Sequence, residues 1–453
     1  MKILIQNGRI LDPAERIDAG LNLLLTDGKI AGLTSEAPEA DLRIDASGKV
    51  VCPGLIDIHM HEDPLDPDGR LYADTERGIL FCMLRQGVTT AVAGNCGENR
   101  AHPLQYLDTV DRDGAPVNLA MFAGHGYFRT LAGAADKYAP AARAQIEAMN
   151  RELARCLEHG CVGISYGIRY IPGMNRQELL ETAALCRDSG KPIAAHIRDD
   201  ADAVFGAAEE FLDAGLELGL PTQVSHIGSM AGFGQMSRFL RLIDSYRARG
   251  LDVSCDCYPY AAFSTDIGET TYDDGWLERY HCGYDAVEMA EGRYRGQRLT
   301  EERFREMRRE HPEYKTVCYV MQQADVDLAY GHPGVMVASD GTLSHGQGHP
   351  RAAGCFPRVL GTYVREGKLS LYDAVSRMTA EPAARLRLRN KGTLRKGADA
   401  DVLIFDPETI ADRATFSDPL LPPVGIDWVI VNGTPACSDG VLLCTDAGRS
   451  VRR

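Results

Sequence analysis

The sequence has no apolar run approaching the ~20 residues of a membrane span, so no membrane-embedded segment is expected. Its opening, MKILIQNGRILDPAERID, is broken by charge and glycine and lacks a signal-peptide core. Basic residues are in deficit: 49 Lys plus Arg stand against 64 Asp plus Glu, a net charge of -15. That balance excludes the broad basic surface that nucleic acid or anionic membrane requires. An anionic substrate would have to meet a local cluster of cations. The 13 cysteines are odd in number and form no CxxC pairs, which argues against a disulfide framework. Reduced thiols in a cytoplasmic protein are the expectation. What is present is ordinary for a globular chain: 44% hydrophobic and 25% charged over 453 residues, enough to bury a large core without staples.

Short strands with tight NG and DG turns fill the first ~50 residues (KILIQNG, LNLLLTDGKIAGL). The same texture returns near the end in DADVLIFDP and DWVIVNGTPA. Two distant stretches of one kind call for a shared core, so residues 1–52 and 395–453 are expected to form one small β-sandwich domain. Between them, eight apolar runs alternate with helical patterns: VVCPGLIDI, VTTAVAGN, VNLAMFAG, CVGISYG, PIAAHI, PTQVSHI, LDVSCDCY and GVMVASDG. Intervening segments such as ARAQIEAMNRELARCLEHG carry apolar residues at i, i+3 and i+4. The pattern predicts an α/β fold, a TIM (β/α)8 barrel over 53–394, with chemistry at the C-terminal ends of its strands. One connection, at about 259–333, far exceeds the usual ~2–6 residues. Its aromatic content (Tyr272, Trp276, Tyr280, Tyr284) favours an ordered cover.

Chemistry-bearing side chains fall at those strand ends. His59 and His61 in GLIDIHMH are two apart and project to one face. Cys96, His196, His226 and Asp340 follow the second, fifth, sixth and eighth runs, and His125 follows the third. Imidazoles, a thiolate and a carboxylate are the donor inventory of a zinc centre with an open position. His125 reads as an orienting residue behind the ligands.

The motifs GLIDIHMH, GNCG, GHGYFR, AHIRDD, DCYPYAAFST and HPRAAGCFPRVLG occur in order along nearly the whole chain. Together they resemble the N-acyl-D-amino-acid deacylases (D-aminoacylases) of the amidohydrolase superfamily. The resemblance implies one tight Zn2+ on Cys96, His196 and His226, and a second, weaker metal position on His59, His61 and Asp340. It assigns Asp340 as catalytic acid and base, and Arg351, Tyr258 and Ser264 as the clamp on the substrate carboxylate. It also exposes a departure: where many relatives carry a lysine, this chain has Gly228, leaving Arg169 as the candidate replacement cation.

The implied reaction is metal-assisted hydrolysis of the linear amide of an N-acyl-D-amino acid, a small-molecule substrate. Self-association is left open by the sequence. A cyclic amidase of hydantoinase or dihydroorotase type is the nearest alternative. It is disfavoured because such enzymes bridge two metals with a lysine on strand four, and CVGISYG has none. A non-catalytic scaffold is disfavoured by the complete ligand set.

Overall fold

A computed structural model describes residues 1–453. Parallel strands covered on both faces are encoded as unbroken apolar runs, and the eight runs become eight such strands. In chain order they are Leu55–Asp57, Val88–Ala93, Asn118–Met121 with its extension Ala123–Gly124, Ile164–Gly167, Ile193–His196, Thr222–Val224, Val253–Cys257 and Val335–Val337. Neighbours pair in parallel, Ala91 with Leu119 and Ala195 with Val224 for example. The third strand pairs with the second along its first half and with the fourth along its extension. A parallel bridge from Met60 to Gly341 closes the ring between the first and eighth strands. Helices return the chain between strands. Arg143–Glu158 buries Ile146, Met149, Leu153, Cys156 and Leu157, the i, i+3, i+4 stripe of an amphipathic helix on a core. The architecture is a (β/α)8 barrel.

The run VVCPGLIDI does two jobs. Val50–Pro53 pairs with the chain-end strands, whereas Leu55–Asp57 starts the barrel. Between them, a Cβ on Gly54 would stand 2.2 Å from the Thr89 hydroxyl, so only glycine passes here.

Strands from both chain ends join one nine-stranded sheet. Lys2–Asp12 is its fork. One edge pairs with Ile17–Thr26; the other pairs with Leu42–Asp45 along its first half and Val50–Pro53 further on. The strands Val402–Phe405, Ile426–Val431 and Thr434–Ser438 continue outward from Val50–Pro53. The two leaves share a core of 15 residues that includes Ile3, Leu23 and Ile44 from one and Val51, Val402 and Ile404 from the other.

The long connection after the seventh strand is ordered. It folds into a three-stranded antiparallel sheet (Phe263–Asp266, Lys315–Cys318, Val287–Met289) with the helices Trp276–Tyr280 and Glu301–Glu310. Its aromatics form their own core, with Trp276 stacked on Phe304 at 5.2 Å and Tyr272 and Tyr284 edge-on to Trp276. Three polar contacts fasten it to loops at the barrel mouth. Tyr280 Oη donates to Asp200 at 2.6 Å, Arg279 Nε lies 3.1 Å from Asp200, and Thr270 Oγ1 donates to the Arg169 carbonyl at 2.8 Å. No helix is long and apolar enough to cross a membrane.

Candidate active site

Turns that follow the barrel strands carry the candidate side chains to the barrel mouth. Three of these turns place a non-glycine residue in the left-handed region: Cys96 (φ 52°), His226 (φ 33°) and Asp340 (φ 48°). Such backbone costs about 1–3 kcal/mol per residue and persists only where neighbours over-determine it. They do so here. The His226 N–H donates to Asp256 at 2.7 Å, and the Asp340 N–H donates to the His59 carbonyl at 2.8 Å. The Cys96 turn is clamped on both sides, because the Gly94 and Arg100 N–H groups donate to the two oxygens of Glu62 at 3.0 and 2.9 Å.

The turns bring His59, Cys96, His226 and Asp340 together, all buried, with their ligand atoms within 4.8 Å of one another. Cys96 Sγ is 3.4 Å from both His59 Nε2 and His226 Nε2. Asp340 Oδ1 is 3.4 Å from His59 Nε2 and 3.1 Å from His61 Nε2. His196 packs its ring edge-on to His226 at 4.5 Å, and neither of its nitrogens has a hydrogen-bond partner. Other groups aim the rings. His59 Nδ1 faces Asp256 Oδ1 at 3.3 Å, and His226 Nδ1 meets Ser229 Oγ at 3.0 Å. Both contacts leave Nε2 directed at the thiol, the arrangement by which outer partners fix metal-binding imidazoles.

The electrostatics follow from this packing. Burial pushes the Cys96 thiol up, but the imidazoles of His59, His226 and His196 outweigh it and hold the thiol well below its ordinary range. Burial also opposes ionisation of Asp340, yet Arg351, His226 and His61 keep it well below the usual carboxylate range. Burial and neighbouring His226 drive the His196 imidazole down to about 4, so it is neutral and free to donate a lone pair. His61, opposed by burial but held by Asp340 and Cys96, is raised to about 9. The thiol, the imidazole nitrogens and the carboxylate direct their lone pairs at one point, the donor set of a metal centre. Sulfur and nitrogen donors with one carboxylate suit zinc.

Beside the cluster lies a cavity of ≈ 20 Å³ lined by His196, His226, Asp340, Arg351, Tyr258 and Ser264 among others. Its opposite wall is the insertion, which contributes Phe263, Thr265, Thr271 and Tyr280. Arg351 is its one arginine, and no lysine lines it. The guanidinium sits 4.5 Å above the Tyr258 ring with Nη1 2.9 Å from Asp340 Oδ2, an ion-pair contact without hydrogen-bond alignment. Its Nε and Nη1, and the nearby Ser264 Oγ, are buried with no hydrogen-bond acceptor or donor opposite.

Two other expected residues point elsewhere. Arg169 Nη1 pairs with Asp199 at 2.9 Å and Nη2 reaches the Thr270 carbonyl at 3.3 Å, outside the cavity lining. His125 stands 3.0 Å from Glu178, which also takes Arg129, rather than behind a ligand of the cluster. Around Gly228, a Cβ would meet Cys257 Sγ at 3.1 Å and Met321 Cε at 3.3 Å, so apolar atoms occupy the direction a lysine would need. Sequence reasoning missed Asp256 and Glu62. The available signal for Asp256 was a carboxylate in the interior of the strand run LDVSCDCY, whose other aspartate, Asp252, stands at its start. Tyr170, whose ring lies 4.6 Å from His196 and which lines the cavity, was also missed.

Comparison with known proteins gives a consistent result. The amidohydrolase family profile matches residues 123–436. The chain is 34% identical to an N-acyl-D-glutamate deacylase of Alcaligenes xylosoxydans xylosoxydans, covering 96% of this chain and 93% of that protein. It is 32% identical to a D-aminoacylase of the same organism, over 100% of this chain and 97% of the relative. Among solved structures, the N-acyl-D-glutamate deacylase of Bordetella bronchiseptica, complexed with zinc and a phosphonate mimic of the tetrahedral intermediate, superposes with a TM-score of 0.88. That match has 32% identity and covers 100% of this chain and 99% of the other.

Proposed function

This chain belongs to the amidohydrolase family, and from that premise we propose that it hydrolyses N-acyl-D-amino acids to a carboxylate and a free D-amino acid. One observation carries the reading: a buried thiolate–imidazole–carboxylate cluster whose aspartate also touches a buried arginine with unpaired donors. A site for amide chemistry is thereby coupled to a site for one carboxylate.

Cys96, His196 and His226 would hold a tight zinc, with His59, His61 and Asp340 forming a second, weaker position. When bound, zinc supplies Lewis acidity, which polarises a carbonyl and lets water ionise near neutral pH. Asp340 takes a proton from the attacking water and delivers it to the amide nitrogen as the C–N bond breaks. Its two oxygens divide the work: Oδ1 faces His59 and His61, and Oδ2 faces Arg351. Arg351 presents a planar fork to the α-carboxylate, with Ser264 Oγ as a further donor and the Tyr258 ring fixing the guanidinium plane. Asp256 and Ser229 keep the rings of His59 and His226 aimed. The contacts of Asp199 and Asp200 with Arg279 and Tyr280, and of Arg169 with the Thr270 carbonyl, hold the insertion over this side of the site.

Arg351→Lys tests the clamp. An ammonium keeps the charge but loses the second prong, worth about 1.5–3 kcal/mol for a charged hydrogen bond. A drop in kcat/KM of ~10- to 10²-fold is expected for N-acetyl-D-leucine, and little change for its primary amide, which offers no anion. Equal losses on both substrates would remove Arg351 from carboxylate binding.

The side-chain subsite also decides among D-amino acids. Position 228 gives no lysine, Arg169 is engaged by Asp199, and the Asp200 carboxylate lines the cavity. A second anion on the substrate finds no partner there. N-acetyl-D-leucine and N-acetyl-D-methionine are expected to be cleaved faster than N-acetyl-D-glutamate, with the L-isomers and 5-substituted hydantoins left intact. Preferential opening of hydantoins would instead favour the cyclic amidase, which ranks lower because strand four, Ile164–Gly167, carries no lysine.

A further inference from the structure

A second concavity is unrelated to the cluster above. It lies at the other end of the barrel, where the third strand begins at Asn118. The segment 387–391 there faces the C-terminal tail, which bridges to the barrel through Gly448 and Ser450. Its volume is ≈ 960 Å³, and six cations (Arg387, Arg389, Lys391, Arg449, Arg452 and Arg453) line it against two carboxylates, Asp399 and Asp446.

Internal pairing accounts for only two of the six. Lys391 is bound to Asp401 and Asp399 at 2.7 and 3.0 Å, and Arg452 to Asp108 and Asp111 at 2.6 and 3.1 Å. Arg449 reaches only the carbonyls of Asp446 and Gly448. Arg453 reaches only those of Ser189 and Gly190, and its Nη1 is buried without a partner. The main-chain oxygen of Arg453 is already taken by Lys191 Nζ at 2.6 Å. Arg387 and Arg389 are exposed at the rim, and neither makes a salt bridge. Burial and the field of Arg387 both push the Arg453 guanidinium down, so these cations repel one another. Asp446 is the one carboxylate nearby that no cation holds, and it accepts from Cys444 Sγ at 3.0 Å. Four uncompensated guanidiniums around one cleft run against the trend of a chain with net charge -15.

We propose that this cleft binds a compact polyphosphate, a di- or triphosphate group either free or carried on a nucleoside. Guanidinium forks match phosphate oxygens bidentately. Four unpaired cations call for several negative charges in one ligand, which a monocarboxylate does not supply. The volume lies at the upper end of the ~300–1,000 Å³ of small-molecule sites, more than a single phosphate fills. The bound group ties segment 387–391 to the tail, so it stabilises the fold without entering the reaction.

Calorimetric titration of the zinc-loaded protein with tripolyphosphate and, separately, with ATP tests the proposal. Saturable binding is expected, weakening as salt is raised and falling at least ~10-fold in Arg387→Ala/Arg389→Ala, the loss of about one charged contact. Arg449→Gln provides an independent arm should the double variant fold poorly. Tighter binding of ATP than of tripolyphosphate would add a nucleoside subsite; equal binding would limit the site to the phosphates. No binding of either ligand at millimolar concentration overturns the proposal. So does heat that persists unchanged in both variants, since it would then arise from the ligand stripping the metal.

Discussion

Replacing Asp340 with asparagine is expected to lower kcat by ~10²-fold or more, the usual share of a general acid–base group. KM should change far less. Asparagine preserves the side chain's size and can sit in the same left-handed turn, which the Asp340 N–H fixes by donating to the His59 carbonyl at 2.8 Å. It can neither accept a proton from water nor return one to nitrogen. The split between kcat and KM matters because Asp340 also touches Arg351 at 2.9 Å. If its contribution were to hold the arginine, the damage would fall on KM, and on acids more than on amides. Steady-state kinetics with N-acetyl-D-leucine distinguish the two. A variant within a few-fold of wild type in kcat would remove Asp340 from proton transfer.

Cys96→Ala should have an effect of similar size by a different route. The thiolate is the shared neighbour of His59 and His226, 3.4 Å from each, and is the only sulfur in the cluster. Loss of an outer-shell partner costs ~10–100-fold in metal affinity, so loss of the ligand itself should exceed that. The variant is expected to purify with much less zinc and to show little turnover, while folding normally, since alanine leaves the Glu62 clamp on Gly94 and Arg100 intact. Metal content by atomic emission, read beside activity, checks it. Stoichiometric zinc with full turnover would exclude Cys96 from the site.

Much of this was legible in the chain itself. Strands buried on both faces favour apolar and small residues along most of their length, so Val88–Ala93 and its counterparts are visible as runs. Their C-terminal ends could then be searched for ligands. The residue types at those ends, a thiol, four imidazoles and a carboxylate, are a pattern rather than a single signal. What stayed hidden depends on contacts across the fold. VVCPGLIDI reads as one strand because nothing in the run shows that Thr89 leaves no room beside Gly54. The engagement of Arg169 by Asp199, 30 residues away, is a matter of how two strand-end loops approach. His125 keeps company with Arg129 of its own helix and with Glu178, which lies on a helix some 50 residues further along the chain. The filling of the space beside Gly228 comes from Met321 and Val326, beyond the inserted segment's far strand. Asp256 opens the DCYPYAAFST motif, yet its part in holding the His59 ring shows only in the fold, since a buried carboxylate is recognised by what it holds.

The central claim is that these residues assemble a metal-dependent hydrolase for N-acyl-D-amino acids, and one measurement addresses it most directly. The purified protein is stripped with a chelator, dialysed, and assayed on N-acetyl-D-leucine during stepwise return of zinc. The stripped protein should be inactive, and release of free D-leucine should rise with zinc toward a maximum near one equivalent. Full activity in the stripped protein, or zinc-loaded protein that leaves every N-acyl-D-amino acid intact, would contradict the account.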